Sequence, residues 1–240
     1  MQLRNSIAVV TGANRGLGRH FAAQLLERGA AKVYAAARNP DSVDLPGATP
    51  LRLDVTDPEA IAHAAAVATD ATLLINNAGI WTRAGLMDGE ADLIRLEMET
   101  HYFGALGMTR AFAPILTANG GGAILNVLSV LSWLHVPDYG AYSVAKTAAW
   151  AMTNVIRQEL APNGIQVAAL HVGYMDTDMA GYVAPEDKID PARVAAAALG
   201  GIEAGVTEIL ADDWTRNVKK GLTAVPAVSA VPILSGRRTR

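Results

Sequence analysis

The feature that most constrains this chain is an alternation of short apolar runs with longer helix-like stretches. The first apolar run, 6–10, leads through a turn that contains glycines into a helical stretch over 17–28. Such alternation is typical of parallel strands, because each parallel pair needs a crossover connection, and the helices then cover both faces. We expect strands at 6–10, 32–36, 51–53, 72–76, 122–128, 165–170 and 208–210, and helices at 17–28, 59–68, 88–118, 139–160 and 191–204. The pattern therefore predicts an α/β fold, a doubly wound parallel sheet of about seven strands with helices on both faces.

The composition permits one folded unit and excludes several kinds of site. The chain has 240 residues, of which 51% are hydrophobic, and this is enough for a buried core. It has no cysteine, so disulfides, thiolate metal sites and cysteine nucleophiles are excluded. No repeat or change of composition divides it, and we expect a single domain over 1–240 that ends in a tail over 223–240.

The charge and hydropathy patterns give expectations about partners and location. With a net charge of −3 and 18% charged residues, the chain is not expected to bind nucleic acid. No signal-peptide core is present, and polar residues such as Asn126 and Ser129 interrupt the most apolar window, 123–136. We therefore expect a cytoplasmic protein that binds no membrane. No spacing of His, Asp and Glu indicates a metal site, and none is expected.

A glycine-rich turn, 11–18, connects the first strand to the first helix. Its sequence is Thr-Gly-Ala-Asn-Arg-Gly-Leu-Gly. Glycines let the backbone approach a pyrophosphate, and the free N–H groups at a helix N-terminus bind anions. The turn therefore predicts a dinucleotide phosphate site, and a tight strand-to-helix connection without a ligand is the alternative. The candidate residues are Gly12, Asn14, Arg15, Gly16, Leu17 and Gly18.

Three further blocks follow the turn. The sequence Asn-Asn-Ala-Gly over 76–79 follows the fourth strand, Ser129 follows the fifth, and Tyr142 and Lys146 lie on the next helix. Together with the turn, these blocks resemble the short-chain dehydrogenase/reductase family over roughly residues 5–180. The resemblance implies a Rossmann-like fold and hydride transfer between a nicotinamide cofactor and a carbonyl or alcohol. It also implies cofactor contacts from Asp54, Val55, Asn77, Ala78, Gly79, Tyr142, Lys146, Gly173 and Thr177, although Asp54 could equally be a helix-entry residue.

The catalytic candidates are Ser129, Tyr142, Lys146 and His101. Tyr142 and Lys146 are four residues apart and share one helix face, so the ammonium favours the phenolate form of the tyrosine. The resemblance implies that Tyr142 is the acid/base and that Ser129 orients the substrate carbonyl, with Ser132 as the competing serine. His101 stands where the family usually has an asparagine of a proton relay. It either preserves that relay or is a buried structural histidine.

Two arginines favour NADP(H) over NAD(H). Dinucleotide folds carry an acidic ribose ligand at the end of the second strand, and here that position is Ala37, followed by Arg38. Arg38, together with Arg15 of the turn, can present guanidinium donors to a 2′-phosphate. The alternative is that both are solvated surface arginines.

Aromatic residues are scarce, and several of them follow strand ends. Ligands of doubly wound sheets bind beyond the carboxyl ends of the strands. We therefore expect 174–190 to be the substrate loop and the substrate wall to consist of Trp81, Trp133, Tyr139, Tyr174, Met179 and Tyr182. The apolar character of this wall predicts an apolar or aromatic ketone, aldehyde or secondary alcohol.

These observations together predict an NADPH-dependent carbonyl reductase or alcohol dehydrogenase that acts on a small molecule. The alternative from another class is a catalytically silent NADP-binding sensor or interaction protein on the same fold. A nucleotide-sugar epimerase needs more chain after the sixth strand. The stretch 208–214 departs from the glycine-rich end that often joins a subunit interface in the family, so a homotetramer, a homodimer and a monomer are all open.

Overall fold

The computed structural model describes residues 1–222, and the predicted tail over 223–240 lies outside them. The strands are Ile7–Thr11 (β1), Lys32–Ala37 (β2), Thr49–Arg52 (β3), Leu73–Asn76 (β4), Gly122–Val127 (β5), Ile165–His171 (β6) and Glu208–Leu210 (β7). The helices are Gly16–Glu27 (α1), Pro58–Val67 (α2), Ala91–Met98 (α3), Ala105–Ala118 (α4), Gly140–Leu160 (α5), Pro191–Glu203 (α6) and Asp213–Gly221 (α7). None of these helices has both the length and the apolar sequence that crossing a bilayer requires.

The seven strands form one parallel sheet in the order β3-β2-β1-β4-β5-β6-β7, which confirms the predicted fold class. Val10 of β1 is paired with Ala35 of β2 on one side and with Ile75 of β4 on the other. The chain therefore winds outward in both directions from β1. A crevice for a ligand forms at such a reversal, outside the carboxyl ends of the strands.

The central strands contribute side chains to two separate apolar layers, whereas β3 and β7 at the edges each contribute to one. Ala8 and Val10 point into the layer that α1 and α6 cover, whereas Val9 and Leu74 point into the layer beneath α2, α4 and α5. Because successive strand residues face opposite sides, a strand covered on both faces must be apolar throughout. This is why the strands read as continuous apolar runs.

Two elements differ from the sequence-based expectation. The helix expected over 88–118 is divided into α3 and α4 by a π-helical segment, Glu99–Gly104. A Cβ added at Gly104 would lie 2.8 Å from the carbonyl oxygen of Val55, so the backbone packs closely at this glycine. The third strand begins two residues earlier than expected and includes Pro50, which the edge position of β3 permits.

Candidate active site

The glycine-rich turn is held against the end of β4 by Thr11 and Asn77. Thr11 Oγ1 accepts hydrogen bonds from the backbone N–H groups of Asn77 and Ala78, both at 2.9 Å. Asn77 Nδ2 donates to the carbonyl oxygens of Thr11 and Gly12 at 2.8 and 3.2 Å. Gly12 has φ +65° and an added Cβ would lie 3.1 Å from Ala78 Cα, so this position requires glycine. These contacts bring the first two predicted blocks together.

The N-terminus of α1 has the features of an anion site. No side chain caps it, and its first turn contains no acidic residue, so the first N–H groups face the turn without a carboxylate beside them. A Cβ added at Gly18 would lie 2.6 Å from Asn77 Nδ2, and one added at Gly16 would lie 3.4 Å from Thr177 Cγ2. Gly12, Gly16 and Gly18 thus form one cradle at the start of α1, and Thr177 of the predicted substrate loop borders it, whereas the side chain of Leu17 is buried in the core. This arrangement fits the pyrophosphate of a dinucleotide.

The two predicted 2′-phosphate residues lie in different places. Arg38 is exposed directly after β2. Burial acts to raise the pKa of Asp54, but hydrogen bonds from Thr56 and the charge of Arg38 outweigh it, and the pKa is lowered. Asp54 Oδ1 accepts from Thr56 N at 3.0 Å and from Thr56 Oγ1 at 2.7 Å, so this carboxylate is also a local turn acceptor. Arg15 lies in the glycine-rich turn and pairs with Asp178 of the predicted substrate loop at 3.2 Å, with both side chains largely exposed.

Ser42 is a residue of this region that the sequence reasoning missed. Its hydroxyl accepts a hydrogen bond from Asn14 Nδ2 at 3.1 Å and donates to Asn39 O at 2.6 Å. The segment after β2 therefore reaches back to the glycine-rich turn. A serine that follows an arginine at the end of a strand by a few residues only weakly indicates a ligand-binding residue, because serine is common in turns.

The structure brings Ser129, Tyr142 and Lys146 together. Ser129 follows β5, and the other two lie on the first two turns of α5. Lys146 is buried, donates to Val127 O at 2.8 Å, and places Nζ 5.5 Å from the ring centroid of Tyr142. Burial raises the pKa of Tyr142, the charge of Glu97 acts in the same direction, and the nearby Ser129 hydroxyl acts to lower it. The expectation that Lys146 favours the phenolate is therefore wrong for this state of the site, because burial outweighs any such effect, and the phenol is neutral and able to donate a proton.

Burial also controls the charge of Lys146. It lowers the pKa of this ammonium to about 8, although Glu97 acts to raise it. The competing serine, Ser132, is buried, and its Oγ lies 3.5 Å from the backbone nitrogen of Ser129. The roles predicted for the three residues remain predictions.

His101 lies on the π-helical segment and faces Tyr142. The ring centroids are 5.1 Å apart, and the rings are nearly perpendicular. His101 Nε2 is 2.8 Å from Ile80 O and 3.2 Å from Glu97 Oε2. Burial lowers the pKa of His101, Lys146 lowers it further, and Glu97 acts to raise it. A Cβ added at Gly79 would lie 2.8 Å from His101 Cε1, so Gly79 is needed for this approach.

Glu97 is the second residue that the sequence reasoning missed. Its side chain is fully buried, and Oε1 accepts a hydrogen bond from Thr82 N at 2.6 Å. A small cavity of about 10 Å³ lies nearby, and His101 and Lys146 both line it. Asn76 and Asn126 also line this cavity and hydrogen-bond to each other at 2.8 Å.

Four of the six predicted substrate residues form one cluster. The Tyr139 hydroxyl is 2.8 Å from the hydroxyls of both Tyr174 and Tyr182. The Trp81 ring packs on Tyr139 and Tyr182 with centroid distances of 5.1 and 4.8 Å. Burial raises the pKa of Tyr139 to about 12. Trp214, which was not predicted, extends this cluster, with its ring centroid 5.4 Å from that of Tyr174.

The structure does not bring Trp133 or Met179 into that cluster. Trp133 is buried and stacks on His171 at a centroid distance of 3.8 Å, with Lys219 4.6 Å above its ring. Met179 is 43% exposed. Gly173 lies beneath Trp214, and its N–H donates to Asp212 Oδ2 at 2.7 Å. Within residues 1–222, no three His, Asp or Glu side chains form a group that could hold a metal ion.

Comparison with known proteins gives consistent matches. The sequence model of the short-chain dehydrogenase family matches residues 6–188. Dehydrogenase/reductase SDR family member 7B from Rattus norvegicus is 33% identical over 196 residues, which cover 74% of this chain and 60% of that protein. The chain thus spans about 60% of the length of this relative.

Solved structures extend the comparison to cofactor complexes. A short-chain dehydrogenase from Burkholderia cenocepacia J2315, in complex with NADP, is 41% identical with a TM-score of 0.89, and the match covers 93% of this chain and 95% of that one. A 7α-hydroxysteroid dehydrogenase complexed with NADH and 7-oxo glycochenodeoxycholic acid is 25% identical with a TM-score of 0.80, covering 87% and 94%. The similar structures therefore hold both kinds of nicotinamide cofactor.

Proposed function

The chain belongs to the short-chain dehydrogenase family of oxidoreductases, and we propose that it is an NADPH-dependent enzyme that interconverts a ketone or aldehyde with an alcohol. The observation that carries this proposal is the convergence of Ser129, Tyr142 and Lys146 beside the glycine-rich cradle. The cofactor supplies or accepts the hydride when bound.

The chain's own residues supply position and the proton. Ser129 orients the substrate carbonyl, and Tyr142 donates its phenolic proton to the oxygen as the carbonyl is reduced. The ammonium of Lys146 stabilises the resulting phenolate. Gly12, Gly16 and Gly18 hold the pyrophosphate against the N-terminus of α1.

The aromatic cluster supports an apolar or aromatic substrate. Trp81, Tyr139, Tyr174 and Tyr182 present ring faces from segments that follow strand ends. Such surfaces favour flat, apolar groups. We propose that the substrate packs here with its carbonyl toward Tyr142.

The test of this function is turnover of NADPH with a panel of aromatic and aliphatic ketones. Replacing Tyr142 with Phe is expected to lower kcat about 100-fold or more, because the proton donor is lost, while NADPH binding measured by tryptophan fluorescence stays intact. The matched control is Tyr102→Phe, which alters a tyrosine outside the proposed site. Turnover that survives in Tyr142→Phe would refute the assignment. A wild-type protein that binds NADPH but reduces no member of the panel would favour the silent sensor.

Arg38 carries the proposed preference for NADPH. Replacing it with Ala is expected to lower kcat/KM for NADPH about tenfold or more while kcat/KM for NADH changes little, because charged hydrogen bonds to the 2′-phosphate are lost. The control is Arg19→Ala, since Arg19 pairs with Asp44 away from the proposed ligand. Equal kcat/KM for the two cofactors in the wild type would contradict the proposal.

A further inference from the structure

The buried carboxylate of Glu97 has no part in the function proposed so far. It lies on α3, and its side chain is fully buried. A buried carboxylate is costly unless it is hydrogen-bonded. Its Oε1 accepts the backbone N–H of Thr82 at 2.6 Å, whereas Oε2 lies 3.2 Å from His101 Nε2 without an aligned hydrogen bond. The contact with Thr82 is short and charge-assisted, so the carboxylate holds the backbone of the segment that follows β4.

The chain is fixed on both sides of Trp81. Directly before the tryptophan, Ile80 O lies 2.8 Å from His101 Nε2, and because a carbonyl can only accept, the ring donates to it. Directly after the tryptophan, Thr82 N donates to Glu97. The histidine and the glutamate are one turn apart on the same helical stretch. This stretch therefore holds the backbone that carries the indole ring.

Arg83 shows that the segment is held in a conformation it would not adopt freely. Its φ is +64°, in the left-handed region that residues other than glycine rarely adopt. Such a conformation persists only where the surroundings fix the backbone. Two further hydrogen bonds do so, from Ala84 N to Thr82 Oγ1 at 3.3 Å and from Ala141 N to Ala84 O at 3.2 Å. Contacts with α3 and α5 thus set the path of the chain next to Trp81.

The Trp81 ring depends on that backbone for its position. Its Nε1 is buried and has no hydrogen-bond partner within residues 1–222. The ring stacks on Tyr139 at a centroid distance of 5.1 Å and packs on Tyr182 at 4.8 Å, and the guanidinium of Arg83 lies 4.8 Å from its centroid. Because no polar contact orients the indole in this part of the chain, its place in the cluster is set by packing and by the backbone that carries it.

We propose that Glu97 is a positioning residue for Trp81, which fixes the indole ring through the Thr82 backbone and so favours flat aromatic substrates over small aliphatic ones. This inference rests on the proposed function, because it takes Trp81 as a substrate contact. A ring that is fixed before the substrate arrives does not have to be ordered on binding, so it contributes more affinity than a mobile ring.

The charge of Glu97 also acts on the proton step, and this effect must be separated from the effect on Trp81. The charge acts to raise the pKa of both Tyr142 and Lys146. The proton step is the same for every ketone, so a change in it alters kcat/KM for all ketones alike. The ratio of kcat/KM for a flat aromatic ketone to that for a small aliphatic ketone therefore reports on the substrate wall.

The first test measures this ratio with acetylnaphthalene and butanone in Glu97→Ala and Glu97→Gln. Both variants lose the charge, but only glutamine retains an oxygen that can accept from Thr82 N. Glu97→Ala is expected to lower the ratio about tenfold, mainly by raising KM for the aromatic ketone, and Glu97→Gln is expected to change it by less than about twofold. The matched control is Glu99→Ala, at an exposed glutamate of the π-helical segment. A wild-type ratio in Glu97→Ala, or an equal fall in both variants, would overturn the proposal.

A double-mutant cycle tests whether Glu97 acts through Trp81. Trp81→Ala alone should lower the ratio at least as much as Glu97→Ala does. In the Trp81→Ala background, Glu97→Ala is expected to cause no further fall, because the ring that the glutamate positions is gone. A fall of the same size in both backgrounds would show that Glu97 acts on the ratio by another route, and the proposal would be wrong.

The last measurement needs no turnover and begins with the wild-type protein. Hydrogen exchange followed by nitrogen-15 NMR of labelled threonines, with Thr82→Ser to assign the signal, reports whether the Thr82 amide is hydrogen-bonded. We expect a downfield, slowly exchanging amide that moves upfield in Glu97→Gln, because a neutral acceptor makes a weaker bond. Exchange as fast as that of an exposed loop amide would overturn the proposal even if both ketones are reduced. If the wild type reduces neither ketone, the proposed function fails, and this readout still decides whether Glu97 holds the segment.

Discussion

Two buried histidines, His101 and His171, lie beside predicted catalytic residues, and their surroundings differ. His101 packs edge-on against Tyr142, whereas His171 Nδ1 lies 3.1 Å from Ser129 O and its ring stacks flat on Trp133 at 3.8 Å. Each also faces a glutamate. His101 Nε2 is 3.2 Å from Glu97 and His171 Nε2 is 3.9 Å from Glu208.

The two glutamates have different partners. Glu208 is about one-third exposed and pairs with Lys219 at 2.8 Å, so its charge is already balanced. Glu97 is fully buried, and its charge acts to raise the pKa of Lys146, which burial lowers to about 8. Burial lowers the pKa of both histidines, that of His171 to about 4. The comparison teaches that two buried histidines with lowered pKa values can have different neighbours: His101 packs on the proposed acid/base beside a buried carboxylate, whereas His171 packs on a tryptophan beside an ion pair that is already formed.

The strongest test of this contrast replaces each histidine with Ala. His101→Ala is expected to lower kcat about 100-fold with NADPH binding intact, because the ring that packs against Tyr142 at the predicted relay position is removed. His171→Ala is expected to leave kcat per folded molecule close to that of the wild type. It should lower the free energy of unfolding by about 2–4 kcal/mol, because a cavity opens beside Trp133.

The measurements are steady-state kinetics, scaled by the fraction of NADPH-binding protein, and urea unfolding at pH 7. The proposed difference between the two histidines is contradicted if the two variants lose kcat equally. It also fails if His171→Ala unfolds at the wild-type urea concentration, since the ring would then contribute nothing to packing.

Much of the fold and the proposed catalytic residues could be predicted because their signals are local. A strand covered on both faces is apolar throughout, and the spacing of Tyr142 and Lys146 places them on one helix face wherever that helix packs. Asp57 shows the same: it caps α2, as the order Thr-Asp-Pro-Glu predicts, and accepts from Glu59 N at 2.9 Å. These features can be predicted without knowing which distant segments of the chain pack together.

The residues that were missed depend on tertiary packing. Glu97 has the sequence context of an ordinary surface glutamate, and it is buried because its helix packs on α5 and the segment at Thr82 covers its side chain. Trp133 follows a strand end like the other aromatic residues, but the packing of α7 decides that it faces His171 and Lys219. The direction in which a loop aromatic points is not encoded in the local pattern, so Trp133 could not be separated from Trp81 by position in the sequence.

The smaller effect that distinguishes the histidines is the pH dependence of stability. His171 has a pKa of about 4 in the folded protein and about 6.5 when unfolded. Between these values the unfolded chain binds more protons, so stability falls as the pH falls through this window. His171→Gln retains a donor for Ser129 O and removes the titration. Wild-type protein should therefore lose about 2 kcal/mol more unfolding free energy than this variant between pH 7 and pH 5.

Urea unfolding at the two pH values measures this loss, and His63→Gln, at an exposed position on α2, is the control expected to match the wild type. If His171→Gln loses as much stability as the wild type, the acid sensitivity does not come from His171. The proton that destabilises the fold would then have to enter at another buried group, and His101 is the next candidate, because burial and the charge of Lys146 lower its pKa as well. The same pair of unfolding measurements on His101→Gln would then show the smaller loss that is expected here of His171→Gln.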